Sequence, residues 1–263
     1  MSPFLSRVLV AAVLLPVVLV VIWAGSWWLF GLAGLAAVLA LHEFYGMTRV
    51  LRPVVLAGYA GTLAALVGAV WGPEWMVGGF LSTFGFAFVF RALAGVQPTV
   101  VSVASTVLGA AWIGLGLAHM ILIREIPEHG TLAAFTVLLA VFASDTAAYV
   151  TGRLFGRHKL APRTSPGKTW EGLVAGTIAA VLVPFFALYE EGFLDVPESL
   201  VLGGAIALAA PIGDLFESAL KRDAGVKDTG SLLLGHGGML DRLDAHLFAA
   251  PAAFYLILAF GYA

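Results

Sequence analysis

The chain has no cysteine. That excludes disulfides, thiolate nucleophiles and Cys-based zinc sites together, and leaves the compartment open. Charge is nearly as scarce: Asp, Glu, Lys and Arg make up 11% of the 263 residues, and the formal net charge is −2. No basic tail offers a footprint for nucleic acid, so no nucleic-acid partner is expected. Apolar residues fill the space instead. They account for 60% of the chain, with a mean hydropathy of +0.97, against the roughly 45–50% found in soluble domains. A soluble core does not explain that excess, and a polytopic membrane protein does. The expected fold class is all-α: one integral membrane domain over residues 1–263, with 1–130 mainly scaffold and 131–263 carrying the catalytic helices and loops.

A spanning helix takes about 20 mostly apolar residues. Nine stretches come near that length: 8–23, 27–41, 53–70, 75–90, 100–123, 132–150, 173–188, 200–220 and 245–260. Arg7 before the first run is reminiscent of a signal peptide. No small-residue cleavage site ends that run, and eight more follow, so it reads as an uncleaved helix. No repeat, low-complexity segment or flexible linker divides the chain.

Orientation follows from Lys and Arg. Thirteen of the 14 basic residues fall at the N-terminus or in loops after even-numbered spans, and Arg124 alone falls on the other side. The loop at 190–198 is purely acidic, with Glu190, Glu191, Asp195 and Glu198. The N-terminus is therefore expected in the cytoplasm of a cell (inner or plasma) membrane protein and, after nine crossings, the C-terminus outside.

Two cytoplasmic loops, 152–172 and 218–244, are much longer than the rest, and long loops in a packed protein are usually functional or disordered. These mix Gly, Pro and charge without low-complexity bias, which favours function. The second reads SALKRDAGVKDTGSLLLGHGGMLDRLD. Bases to hold phosphate, acids to hold a metal and glycines that let backbone approach a ligand are the parts of a nucleotide site.

Three acids lie at or near membrane depth: Asp145 in the sixth span, Asp214 in the eighth, and Glu217 one turn later. An intramembrane carboxylate costs at least about 2.5–3.5 kcal/mol on insertion scales, so such residues face protein or a watery cavity and tend to be functional. The bland alternative is a structural ion pair or a helix-end side chain. Pro211 and Gly213 before Asp214 predict a broken or kinked helix lining a cavity.

Asp214, Glu217, Ser218, Lys221 and Arg222 recur at steps of three and four, so they share one helix face. The acids sit deeper and the bases nearer the cytoplasm, which suits metal below and phosphate above. Asp241 and Asp244 recur at i and i+3 where the ninth span begins. Hard carboxylate oxygens without Cys select Mg²⁺ or a similar ion over zinc. His236 lies between glycines, where a metal ligand, a base, or a hydrogen bond to substrate or loop backbone all suit it. Gly237 and Gly238 let backbone N–H groups converge on an anion. Ser165-Pro166-Gly167-Lys168-Thr169 in the other loop has a similar composition, with Lys168 placed for a phosphate at a helix start; alone, that pentapeptide reads equally well as a surface turn.

With these residues in view, 218–244 closely resembles the signature of the phosphatidate cytidylyltransferases (CDP-diacylglycerol synthases): Ser, then Lys-Arg, Lys-Asp, His-Gly-Gly and Asp-Arg-x-Asp. Residues 144–172, SDTAAYVTGRLFGRHKLAPRTSPGKTWEG, look like the same family. Leu234 stands where that family commonly has Pro, which bears on loop stiffness rather than on ligands, and Ala147 stands where Gly is often found. The resemblance covers most of the C-terminal half and assigns no site to the N-terminal half.

It implies the reaction CTP + phosphatidate → CDP-diacylglycerol + pyrophosphate at the cytoplasmic face of the bilayer, with Mg²⁺ and room for a second cation. By carry-over, Asp214 and Asp241 are expected to bind metal, with Asp145 and Asp244 close by. Lys168, Lys221, Arg222 and Lys227 are expected to hold phosphates, while Ser165, Ser218, His236, Gly237, Gly238 and Arg242 line the substrates. Asp214, Asp241, Lys221 and Arg222 form the implied catalytic set. No protein nucleophile is required. The rival readings are a related lipid cytidylyltransferase or polyprenol kinase with another acceptor and, in a different class, a transporter using Asp145 and Asp214 as a cation relay. Two large loops on one side and the lack of an inverted repeat argue against transport. Oligomeric state is left open, a homodimer included.

Overall fold

The computed structural model describes residues 15–95, 97, 99–188, 191–230 and 237–262. Among them are nine helices: α1 (Leu15–Ala24), α2 (Ser26–Met47), α3 (Val55–Ala69), α4 (Pro73–Leu93), α5 (Val100–Arg124), α6 (Gly130–Phe155), α7 (Trp170–Leu188), α8 (Val196–Asp223) and α9 (Leu240–Ala259). Between α6 and α7 lies one antiparallel hairpin, β1 (Lys159–Ala161) and β2 (Ser165–Thr169), in which Lys159 pairs with Thr169 and Ala161 with Ser165. The chain is an all-α, multi-pass membrane protein. Seven helices are long and apolar enough to cross a bilayer, while α1 and α3 are shorter apolar helices.

Each expected span appears as a helix where it is described, the first over Leu15–Ala24 only because residues 8–14 lie outside the described residues, and several ends differ. Helices α6 and α8 reach 26 and 28 residues, well past their apolar runs. Hydropathy marks the part of a helix that meets hydrocarbon, whereas backbone hydrogen bonding continues into the interface. Both long loops shrink accordingly, and the first is further taken up by the hairpin. The expected break at Pro211 is absent: α8 is continuous from Val196 to Asp223. Gly213 serves close packing, since a Cβ there would collide with the main-chain carbonyl of Asp244 on α9.

The chain divides into two units, residues 1–125 with 224–243 and residues 126–223 with 244–263. In the first, α3 and α4 approach through small residues, as membrane helices do without a hydrophobic force between them. Gly68 abuts the backbone of Trp75 and Met76, Gly79 that of Ala64, and Gly61 abuts Thr83. Side chains then tie the helices together: Tyr45 donates to the Thr106 carbonyl at 2.9 Å, and the Thr106 hydroxyl accepts from the Val54 N–H at 2.7 Å. Arg124 donates to the Ile22 carbonyl at 2.7 Å. Helix α5 starts on a reciprocal Thr99–Ser102 cap and takes a wider π-helical turn over Ala110–Leu115.

In the second unit the same device recurs. Gly176 of α7 lies against Ser144 and Ala148 of α6, and Gly203 of α8 against Val181 of α7. The hairpin joins this packing through Thr169, whose buried hydroxyl accepts from the Gly172 N–H at 3.1 Å and caps α7.

Candidate active site

The second unit gathers most of the residues expected to act. Lys168 is carried by β2, whose pairing with β1 presents it beside α8, and its Nζ lies 2.6 Å from Asp214 Oδ2. One turn along α8, Glu217 is 1% exposed and its Oε2 accepts from Lys221 Nζ at 2.9 Å. Close packing at Gly213 brings α9 against this face, and Asp244 lies within hydrogen-bonding reach of Glu217. Asp145 on α6 is near enough to Asp214, Asp244 and Lys168 to sense their charges. Four carboxylates and two lysines from three helices and the hairpin thus form one cluster. Its acids grade from exposed Asp145, through half-buried Asp214 and Asp244, to buried Glu217.

Such a cluster has a definite chemistry. Adjacent carboxylates repel unless cations lie among them, and here ammonium groups on long flexible stems supply the positive charge. An ammonium of that kind can leave one anion for another, so the same lysines can meet incoming phosphate. Among the described residues, no three Asp, Glu or His side chains already converge as a ready cage for an ion.

The remaining expected residues are placed as follows. Ser165 begins β2, and Ser218 is half-buried on α8. Arg222 is exposed, with a long 3.5 Å contact from its Nε to the Thr164 carbonyl. Lys227 and Arg242 are exposed. His236 lies outside the described residues, as does Leu234.

Asp241, Gly237 and Gly238 belong to the first unit. There Asp241 Oδ2 accepts from the Gly238 N–H at 2.7 Å and the Thr229 N–H at 3.2 Å. The anion that the Gly238 N–H meets is thus the protein's own side chain. Gly237 has φ +79, a conformation that favours glycine.

Sequence reasoning missed one residue. Glu43 on α2 is 8% exposed and accepts from the Met239 and Leu240 N–H groups at 2.9 Å each and from the Thr229 hydroxyl at 3.1 Å. An acid inside a long apolar helix was the available signal, and it is the one that singled out Asp145.

Comparison with known proteins then identifies the group. The model of the cytidylyltransferase family matches residues 5–260. The chain belongs to that family. Among similar proteins, the phosphatidate cytidylyltransferase of Staphylococcus haemolyticus (strain JCSC1435) is 31% identical over 259 residues, covering 96% of this chain and 98% of that protein. The phosphatidate cytidylyltransferase of Mycobacterium leprae (strain TN) is 41% identical over 173 residues, or 64% of this chain and 54% of its own length. That of Haemophilus influenzae is 41% identical over 130 residues, or 48% and 45%. The family covers the N-terminal helices too, where the sequence motifs alone had offered nothing.

Proposed function

We propose that this membrane protein is a phosphatidate cytidylyltransferase, transferring CMP from CTP to phosphatidate to give CDP-diacylglycerol and pyrophosphate for phospholipid synthesis. The observation that carries this is the family match over nearly the whole chain, together with a cluster of acids and lysines built from the motif residues. A phosphate oxygen of phosphatidate attacks the α-phosphorus of CTP, the bond from that phosphorus to the β-phosphate bridge breaks, and pyrophosphate leaves. Negative charge develops on the bridging and leaving oxygens, and preorganised cations stabilise it.

In this reading Lys168 and Lys221 exchange their carboxylate partners for CTP phosphates, with Arg222, Lys227 and Arg242 adding positive charge at the exposed side. Ser165 and Ser218 line the substrates beside these lysines, and the same role for His236, Gly237 and Gly238 rests on the family signature. The donor set of hard carboxylate oxygens without thiolate suits Mg²⁺, which Asp145, Asp214 and Asp244 would hold, while a metal role for Asp241 rests on the family signature alone. Bound there, one or two such ions would supply Lewis-acid stabilisation of phosphoryl oxygens. Phosphatidate brings its phosphate only to the interface, so the cluster works at the membrane surface. The basic asymmetry supports a cytoplasmic position for that surface, with the N-terminus inside and the C-terminus outside.

Purified protein incubated with labelled CTP and phosphatidate, with and without Mg²⁺, tests the reading. Labelled CDP-diacylglycerol that depends on both lipid and ion is the expected product. Turnover with a polyprenol or an ether lipid but not phosphatidate would replace the acceptor, and a labelled lipid lacking the cytidine would indicate a kinase. A reporter fused after Ala263 should read as external.

A further inference from the structure

We propose that Glu43 is a positioning residue for the start of α9, which carries Asp241, an inference resting on the cytidylyl transfer proposed above. Glu43 sits in α2, 186 to 197 residues before its partners in the chain. A buried carboxylate in a membrane helix is costly unless protein groups compensate it. Among the described residues, the donors that meet it are Thr229, Met239 and Leu240. Oε1 accepts from the Met239 N–H, and Oε2 accepts from the Leu240 N–H and the Thr229 hydroxyl. The two N–H groups belong to the start of α9, where backbone donors lack intrahelical acceptors and the helix dipole favours negative charge.

Glycines on either side of residues 231–236 pack against Glu43. Before them, a Cβ on Gly230 would lie 2.6 Å from Glu43 Oε1. After them, a Cβ on Gly238 would collide with the Glu43 carboxylate and the Thr229 hydroxyl. Thr229 joins two acids: its hydroxyl goes to Glu43 while its N–H goes to Asp241. The Gly238 N–H completes the hold on Asp241 at 2.7 Å. Glu43 therefore fixes the backbone that fixes Asp241. Charge and length both matter. A glutamine would turn an amide N–H₂ towards a backbone N–H, and an aspartate would be one methylene short.

The test compares Glu43→Gln, Glu43→Asp and Thr229→Val with wild type, as full-length proteins in lipid nanodiscs. Three quantities are read: hydrogen exchange in peptides covering Met239 and Leu240, thermal unfolding, and kcat and KM for CTP and phosphatidate. Glu43→Gln should deprotect those peptides while the other helices exchange as in wild type. Its kcat should fall about tenfold or more, the equivalent of one charge-assisted hydrogen bond, with KM for phosphatidate unchanged. Glu43→Asp should recover part of both, and Thr229→Val should show a smaller version of the same pattern.

Wild-type loop protection and kcat in Glu43→Gln overturn the proposal. So does a loss of protection spread evenly through the molecule, which marks a purely structural acid. If Glu43→Gln does not fold, Thr229→Val decides the matter by the same readings. A wild-type protein that exchanges as described but does not turn over phosphatidate would sink the assigned reaction, while the loop measurement still decides the role of Glu43.

Discussion

In residues 1–125 and 224–243, Glu43 and Asp241 are met by backbone N–H groups and one hydroxyl; in residues 126–223 and 244–263, Asp214 and Glu217 are met by the ammonium groups of Lys168 and Lys221. The difference is one of exchangeability. Peptide N–H groups are fixed by the fold, so an acid bound to them holds a loop in shape. Ammonium groups on four-carbon stems can move to a different anion, which is what the proposed binding of CTP phosphates requires. Two acid-bearing groups thus divide into one held by fixed donors and one held by mobile ones.

The largest effect should come from breaking each cluster by charge alone. Asp214→Asn should lower turnover by about 100-fold or more without changing insertion, yield or loop protection. Asp241→Asn should lose activity comparably but also weaken protection at Met239 and Leu240, because an amide cannot accept in place of both carboxylate oxygens. Near-normal turnover in both variants would move the reacting centre elsewhere.

The two lysines should separate next. Each charge-assisted contact is worth about 1.5–3 kcal/mol, so Lys168→Ala and Lys221→Ala should each reduce kcat or raise KM for CTP by roughly tenfold or more. Only Lys221→Ala should also lower the unfolding temperature clearly, since it strips an ion-pair partner from a carboxylate that is 1% exposed. Asp214, with 34% of its side chain exposed, can turn to solvent when Lys168 is gone. Equal loss of stability in the two variants would contradict the graded burial of the cluster.

Packing gives a further contrast. Gly213→Ala should destabilise the second unit by a few kcal/mol, as overpacking does, because its Cβ meets the Asp244 carbonyl. Gly204→Ala on the same helix should be neutral or slightly stabilising, since nothing lies within 4 Å of that position. Thermal unfolding in detergent reads both. The smallest effect is expected from His158→Ala. That side chain pairs with Glu171 at 2.7 Å but is 78% exposed, and exposed pairs contribute little. Turnover and unfolding temperature should both match wild type within error.

Much of the site could be read from residues because its chemistry is local in sequence. Asp214, Glu217 and Lys221 sit one turn apart on a single helix, and helical spacing is enough to group them. Lys168 was singled out from its motif, but its ion-pair partner Asp214 was not: a hairpin was needed to swing β2 beside α8. Glu43 was illegible for the same kind of reason. Its partners lie almost 200 residues away, and no spacing rule links a lone acid in α2 to backbone N–H groups at the start of α9.

The amino-acid sequence by itself determined that this is an all-α membrane protein with acids inside apolar helices and a family signature in its C-terminal half. It did so because burial in lipid forces long apolar runs and internally satisfied helices, and both are written residue by residue. Tertiary structure alone decided that α8 runs unbroken through Pro211, that Gly213 admits Asp244, and which acids face lysines and which face peptide N–H groups. Those outcomes depend on how closely two helices approach and where a distant loop returns, and the energies that set them come from contacts between residues far apart in the chain.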